Sequence, residues 1–159
     1  MPQDIIALVH EQWDAWNAHD VDTVVRDATE DVIQDGDPLP QTLHGRDALR
    51  QFAQMYFDAF PDLHFELGEI FVSGDAAVSP WTATGTQRGA LGNLPPTGRS
   101  ATVRGCNIFR FRDGKLAHST AYWDQATLLR QLGAIPAQPE ATAAPREREM
   151  DTERAREMR

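Results

Sequence analysis

The sequence is poor in cysteine, which limits its covalent chemistry and bears on its compartment. Cys106 is the only cysteine in 159 residues, so the chain cannot form an internal disulfide. Chains without disulfides suit a reducing environment. The first residues also lack a basic region and a small-residue cleavage site of the secretory type. We therefore expect a cytoplasmic protein.

The chain also lacks a long hydrophobic run and an excess of positive charge. No apolar stretch approaches the ~20 residues that are needed to cross a bilayer. The formal net charge is −9, whereas binding to a phosphate backbone requires a basic surface. We expect neither a membrane nor a nucleic acid as a partner.

Several common catalytic motifs are missing. The five histidines are scattered, and none forms a metal-ligand spacing with Cys, Asp or another His. The glycine-rich segment "GTQRGALG" follows neither the phosphate-loop pattern nor the dinucleotide fingerprint. No serine stands in a G-x-S-x-G context, and Cys106 has no evident base partner. The sequence therefore predicts no metal, no cofactor and no covalent nucleophile. Carboxylates and aromatic residues remain, which suit acid–base work on a hydrophobic carbonyl compound.

Helical periodicity dominates the first sixty residues. Apolar residues recur at helical spacing over residues 3–18, and Asp20 is a good N-cap for a second, short helix. "DVIQDGDP" reads as a short strand that runs into a loop. A third helix is predicted over Gly45–Phe60, where Pro61 stops it.

The period becomes strand-like after Pro61. Four extended segments are predicted, over Leu63–Ser73, Ala76–Arg88, Ser100–Arg112 and Lys115–Trp123. "SGD" and "RDGK" are turn sequences between consecutive strands. "DQATLLRQLG" then forms a short helix, with Gly133 just beyond its end.

Helices followed by a run of antiparallel strands are typical of the α+β class. We expect a cone-shaped barrel, in which a strongly curved antiparallel or mixed sheet is wrapped by three N-terminal helices and closed by the short C-terminal helix. One domain is predicted over residues 1–136. Residues 137–159 combine a Pro/Ala-rich linker with a charged segment that has no core face, which is typical of a solvated, disordered tail.

Five segments, in this order, resemble the SnoaL-like polyketide cyclases: "WNAHDVDTVVRDATEDVI", "FPDLHFE", "GDAAVSPWTATGTQRG", "PPTGRSATVRGCNIFRFRDGKL" and "YWDQATLLRQLGA". The resemblance spans residues ~5–136. It implies the cone fold shared with ketosteroid isomerase and nuclear transport factor two. It also implies ring closure of an aromatic polyketide by intramolecular aldol condensation, without metal or cofactor, in a homodimer or homotetramer.

The sequence departs from the family pattern at polar positions. Relatives often read G-T-H where this chain has Gln87 after Gly-Thr, and many carry a histidine where this chain has Gln34 and Asp35. The segment His118–Ala121 also replaces an acidic residue and a tryptophan that are common in relatives. The scaffold is therefore matched more closely than the groups that would bind a substrate.

Asp124 matches the family's catalytic acid/base, an aspartate near the end of the last strand. Its position before "QATLLRQL" also makes it a good N-cap, which would accept a hydrogen bond from the amide of Ala126 or Thr127. Asp124 shares strand parity with Tyr122 and His118. If that face is the inner one, the carboxylate points into the cavity, and desolvation would raise its pKa. We favour the catalytic role.

Five further residues are candidates for substrate binding, and each has a structural alternative. Trp81 on a predicted central strand is a stacking wall or an ordinary core residue. Asn107 among apolar neighbours binds a substrate carbonyl or serves the sheet. His118 is a second acid or an exposed residue near a strand start. Tyr56 presents its hydroxyl to the cavity or packs, and Asp35 is a second carboxylate or a loop residue.

Three functions are carried forward. The first is a cofactor-free cyclase that acts on a hydrophobic aromatic small molecule. The second is an isomerase or an epoxide hydrolase of the same fold. Related hydrolases need an Asp/Arg/Asp arrangement, and strand parity puts Arg104 and Arg110 on the face opposite Asn107. The third is a non-catalytic module for small-molecule binding or dimerisation.

Overall fold

The computed structural model describes residues 4–137. Residues 138–159 of the predicted tail lie outside the described residues. No helix among residues 4–137 is long and apolar enough to cross a membrane.

Four helices and seven strands make up the described chain. In chain order they are α1 (Ile5–Asn17), α2 (Val21–Arg26), β1 (Ala28–Asp37), β2 (Leu43–His44), α3 (Gly45–Ala59), β3 (His64–Leu67), β4 (Phe71–Ser73), β5 (Ala76–Thr86), β6 (Ser100–Arg112), β7 (Lys115–Trp123) and α4 (Gln125–Gln131). The α+β prediction is confirmed.

The predicted strand Leu63–Ser73 is divided in the structure. Its first part, β3, pairs with Trp81–Thr84 of β5, and its second part, β4, pairs with Ala76–Val78. Between the two parts, the backbone amide of Gly68 donates to the carbonyl oxygen of Pro80 at 2.9 Å. One long strand therefore pairs with two short ones.

An aspartate occupies the N-cap position of three of the four described helices. The carboxylate of Asp4 accepts from the amide of Ala7 at 3.1 Å, and Asp20 accepts from the amide of Thr23 at 3.2 Å. Asp124 occupies the same position before α4. An N-cap carboxylate satisfies an amide that has no partner within its own helix. The N-cap predicted for Asp20 is confirmed.

The strands form one mixed sheet in the order β2–β1–β7–β6–β5–β3, with β4 also paired to β5. Strands β1 and β7 run parallel, and the other pairs are antiparallel. The parallel pairing places β1, the first strand in chain order, next to β7, the last one. The helices pack on one face of the sheet, which we call the inner face.

The alternation along β6 distinguishes the two faces. Val103 and Phe109 are buried, whereas Arg104 and Arg110 are exposed. The buried set continues through α1, α2 and α3 and forms a single core. Arg104 and Arg110 thus lie on the outer face, opposite Asn107, as strand parity predicted.

Candidate active site

A cavity of about 110 Å³ lies between the inner face of the sheet and the helices. Its wall is mostly apolar and draws residues from all four helices and from β3, β5, β6 and β7, with one residue of β1, Gln34. The volume is smaller than the ~150 Å³ of a closed apolar cavity that holds one benzene molecule. The enclosed part therefore has room for no more than part of a ring system, and the remainder of a larger ligand would extend outwards.

Aromatic side chains make up much of this wall and pack on one another. The ring centroids of Trp13 and Phe65 lie 4.7 Å apart, those of Phe65 and Trp81 lie 5.2 Å apart, and those of Trp13 and Phe109 lie 5.7 Å apart. Tilted and edge-on contacts at these distances are the favourable ones for aromatic pairs. The wall is therefore interlocked and offers aromatic surface to a flat ligand.

A line of hydrogen bonds crosses the sheet side of the cavity. The indole N–H of Trp81 donates to Asn107 Oδ1 at 2.7 Å, and Asn107 Nδ2 donates to Ser119 Oγ at 3.0 Å. An indole N–H can only donate, so the amide oxygen of Asn107 must face Trp81 and its NH₂ must face Ser119. Ser119 Oγ therefore accepts, and its own hydroxyl hydrogen is left to donate to another group. All three residues line the cavity.

Gln34 faces the same cavity from β1. Its side chain is 7% exposed, and its Oε1 atom is buried without a hydrogen-bond partner among the described residues. Gln34 and Ser119 are register partners on the parallel strands β1 and β7. A free acceptor therefore lies across from a free hydroxyl donor.

Tyr56 is the only described residue of the cavity wall with an ionisable side chain. It comes from α3, and burial raises the pKa of its hydroxyl to about 12. Tyr56 is therefore neutral at physiological pH. Within the described wall, hydrogen bonding is provided by neutral groups alone, and no carboxylate or imidazole lines it.

The match to known proteins agrees with this architecture. Residues 7–132 match the family model of the SnoaL-like polyketide cyclases. The chain belongs to this family. The resemblance inferred from the sequence is therefore confirmed. No curated protein matches the chain in sequence.

Three solved structures of Streptomyces proteins share this fold. AclR from Streptomyces galilaeus is 22% identical with a TM-score of 0.80, and the alignment covers 100% of this chain and 99% of AclR. TsrD from Streptomyces laurentii is 27% identical with a TM-score of 0.73, covering 82% and 96%. IdmH from Streptomyces antibioticus is 24% identical with a TM-score of 0.71, covering 82% and 99%.

In this SnoaL-like chain Asp124 does not line the cavity. The carboxylate is exposed and caps α4, accepting from the Thr127 amide at 3.0 Å and from Thr127 Oγ1 at 2.6 Å. These two hydrogen bonds, the side-chain one first, hold the pKa of Asp124 below its usual value. The expectation of a desolvated carboxylate with a raised pKa is wrong, and capping accounts for the observed geometry.

Asp35 and His118 also lie outside the cavity. His118 Nε2 lies 3.0 Å from one carboxylate oxygen of Asp35, and Thr120 Oγ1 donates to the other at 2.6 Å. All three side chains are on the outer face, since their neighbours Gln34 and Ser119 occupy the inner one. The expectation that Asp35 and His118 contact a substrate in the cavity is wrong, because each is one residue out of register with the cavity face.

The other predicted substrate-binding residues do line the cavity. Trp81 and Asn107 belong to its sheet side, and Tyr56 belongs to its helix side. Gln34, Ser119 and the buried Gln12 also line it and were not predicted as site residues. A polar residue among apolar neighbours was the available signal for Gln12 and Gln34. Ser119 gave no such signal, because "HSTA" is polar throughout.

The described residues contain no group of three or more His, Cys, Asp or Glu side chains that could hold a metal ion. Cys106 lies on β6 next to Asn107, and burial raises the pKa of its thiol. A thiol with a raised pKa is a poor nucleophile at neutral pH.

Proposed function

We propose that this SnoaL-like protein is a cofactor-free cyclase that closes a ring in an aromatic polyketide by intramolecular aldol condensation. The observation that carries the proposal is the apolar, aromatic cavity with the fixed hydrogen-bond line Trp81–Asn107–Ser119 along one side. Family membership supports it as well. IdmH, which shares the fold, is described as a candidate polyketide cyclase.

The proposed chemistry needs no ionised group in the cavity. A carbon between two carbonyls loses its proton to water, the resulting enolate forms a C–C bond with a second carbonyl, and the new alkoxide takes a proton back. Ser119 donates its hydroxyl hydrogen to the carbonyl oxygen under attack. Asn107, oriented by Trp81, donates to Ser119 Oγ and so leaves the Ser119 hydroxyl hydrogen free to point into the cavity. Such a donor stabilises the oxygen most when negative charge develops on it.

Positioning supplies the larger part of the expected rate. An open polyketide chain is flexible, and holding the two reacting carbons in contact removes much of the entropic barrier. The interlocked rings of Trp13, Phe65 and Trp81 provide a rigid wall for one end of the chain. The small enclosed volume is consistent with holding only part of the substrate.

Turnover of an aromatic polyketide methyl ester tests this proposal. We expect Ser119→Ala to lower kcat by roughly 100-fold with a smaller effect on KM. Thr120→Val is the matched control, because Thr120 is the next residue on β7 and faces outward. Equal kcat values for wild type and Ser119→Ala would refute the proposed donor. Loss of turnover in Asp124→Asn would instead return the catalytic role to Asp124.

One observation favours a second candidate function, non-catalytic small-molecule binding. Tyr56 is the only ionisable residue of the described wall, and a binding module needs no acid or base. Tight binding of the cyclised product without any turnover of the open ester would favour this alternative. An epoxide hydrolase is less well supported, since Arg104 and Arg110 are on the outer face and no carboxylate lines the described wall.

We also propose that the outer face of the sheet joins two copies of the chain. Phe71, Val78 and Ile108 are successive register partners on β4, β5 and β6. Phe71 is 55% exposed and Val78 is 37% exposed. An apolar row across three strands is unusual on a surface that faces only water. Light scattering should give a dimer mass for the wild type and a monomer mass for Val78→Lys.

A further inference from the structure

The carboxamide of Gln34 is buried in the cavity wall with an unused hydrogen-bonding atom. Oε1 has no partner among the described residues, although the side chain is only 7% exposed. Burying a polar group without a hydrogen bond costs stability. Such a group is rare in a folded protein and calls for a reason, of which a missing ligand is one.

Gln87 provides an internal comparison. Its side chain is 0% exposed, and both ends of its carboxamide are satisfied. Oε1 accepts from Thr97 Oγ1 at 2.7 Å, and Nε2 donates to the carbonyl oxygen of Pro95 at 3.2 Å. This fold therefore satisfies a buried glutamine fully where the residue has a structural role. Gln34 differs from Gln87 in its free oxygen and in facing the cavity.

The group opposite Gln34 offers the complementary half of a hydrogen-bonding pair. Gln34 and Ser119 are register partners on neighbouring strands, which lie about 4.8 Å apart. Asn107 Nδ2 donates to Ser119 Oγ, so the Ser119 hydroxyl is available as a donor. The wall thus presents one acceptor and one donor a few ångströms apart, within an aromatic enclosure.

We propose that Gln34 and Ser119 together recognise an aromatic ketone that carries a hydroxyl group on the same edge. Ser119 donates to the ketone oxygen, and Gln34 Oε1 accepts from the hydroxyl. The inference deepens the proposed cyclase function and rests on it, since Ser119 has the same carbonyl partner in both. It adds Gln34 as the residue that selects rings with a free hydroxyl group over rings that lack the hydroxyl or carry it as an ether.

Thermal unfolding without ligand tests whether the unpaired carboxamide of Gln34 destabilises the ligand-free protein. Methionine has a similar length and no strong hydrogen-bonding atom. Gln34→Met removes an unpaired polar group, so we expect the melting temperature to rise by about 2–4 °C. Gln87→Met is the matched control and should lower it, because several hydrogen bonds are lost at once. A fall for Gln34→Met comparable to that for Gln87→Met would overturn the proposal.

Equilibrium binding of small, unreactive ketones tests the recognition. The probes are meta-hydroxyacetophenone, its methyl ether and acetophenone, followed by calorimetry or tryptophan fluorescence. We expect the wild type to bind the hydroxy ketone about 3- to 10-fold more tightly than the ether or acetophenone. Gln34→Met should bind the hydroxy ketone no more tightly than acetophenone, whereas Ser119→Ala should weaken the binding of every ketone. Equal affinity of the wild type for all three probes, or no binding of the hydroxy ketone, would refute it.

Failure of this inference is distinguishable from failure of the cyclase proposal. The binding and unfolding measurements involve no turnover, and the turnover assay involves no hydroxyl preference. A protein that prefers the hydroxy ketone but does not cyclise the polyketide ester keeps the recognition pair and loses the enzyme assignment. A protein that cyclises the ester but binds all three probes equally keeps the enzyme and loses the role of Gln34.

Discussion

The indole N–H of Trp81 donates to the amide oxygen of Asn107 at 2.7 Å, and this contact fixes the direction of the hydrogen bonds on the sheet side of the cavity. Both residues are buried, and they lie on the adjacent strands β5 and β6. Because the indole can only donate, it sets the orientation of the amide and thereby the acceptor role of Ser119. Trp81 therefore contributes apolar area to the cavity wall and, through Asn107, also sets the hydrogen-bonding role of Ser119.

Replacing Trp81 by phenylalanine tests this orientation. Trp81→Phe keeps an aromatic ring but leaves Asn107 Oδ1 buried without its donor, at a cost of about 1–3 kcal/mol in the free energy of unfolding. Trp123→Phe is a suitable control, because Trp123 also lines the cavity but is only partly buried. Urea unfolding measures both losses. A loss for Trp81→Phe no larger than that for Trp123→Phe would show that the hydrogen bond has little weight.

Gly105 has no side chain at the point where Trp81 and Trp123 pack against β6. It is the register partner of Trp81 on one side and of Trp123 on the other. A Cβ atom at Gly105 would overlap the Trp81 ring and would lie 2.6 Å from Trp123 Cβ. Gly105→Ala therefore forces at least one tryptophan to move.

We expect Gly105→Ala to cost about 1–3 kcal/mol by overpacking and to change the near-ultraviolet circular dichroism of the tryptophans. Gly68→Ala is the control, since its added Cβ would meet Pro80 Cβ at an ordinary 3.5 Å. Guanidinium unfolding gives both free energies. Equal stability of the two variants would contradict close packing at Gly105.

The fold was largely predictable from the sequence because its signals are local. Helices α1 and α2 have regular apolar spacing and an aspartate at the N-cap, and the hairpin turns carry Gly and Asp. The third helix was predicted over Gly45–Phe60 and is observed as Gly45–Ala59. The division of Leu63–Ser73 into two strands was not predictable, because it depends on pairing with β5.

The site was predicted less well because one irregularity in β7 changes which residues face inward. Leu116 is buried in the core, and strict alternation from it would place His118 and Asp124 on the inner face. The register shifts between the pairs Arg110–His118 and Phe111–Leu116, as in a β-bulge. Beyond the shift, Ser119 and its alternate neighbours face the cavity instead. Since one extra residue reverses the face of a strand, the condition that the face shared by His118 and Asp124 is the inner one is not met.

Asp124 should prove structural when it is replaced. Asp124→Ala removes the acceptor for the Thr127 amide, and we expect the melting temperature to fall by about 2–4 °C with turnover unchanged. Asp20→Ala is the matched control, because Asp20 makes the same two contacts to Thr23 before α2. Calorimetry and the polyketide ester assay measure the two effects. A loss of kcat confined to Asp124→Ala would contradict the capping role.

The Asp35–His118–Thr120 cluster predicts how stability depends on pH on the acid side. Burial alone would raise the pKa of Asp35, but the hydrogen bonds from Thr120 and His118 and the charge of His118 outweigh it and hold the pKa below its usual value. A lowered folded-state pKa means that the unfolded chain binds the proton more readily. The contribution of Asp35 is therefore present above the unfolded pKa of about 3.9 and is lost as the pH falls through the folded value.

Removing the Asp35 carboxylate should flatten that part of the profile. We expect Asp35→Asn to be less stable than the wild type at pH 7 and to lose less stability between about pH 5 and pH 2. Asp37→Asn, which makes the same substitution at the exposed end of the same strand, is the matched control. Urea unfolding at a series of pH values gives the curves. Parallel curves for the wild type and Asp35→Asn would show that the pKa of Asp35 is not lowered, because a group with the same pKa in both states contributes no pH dependence.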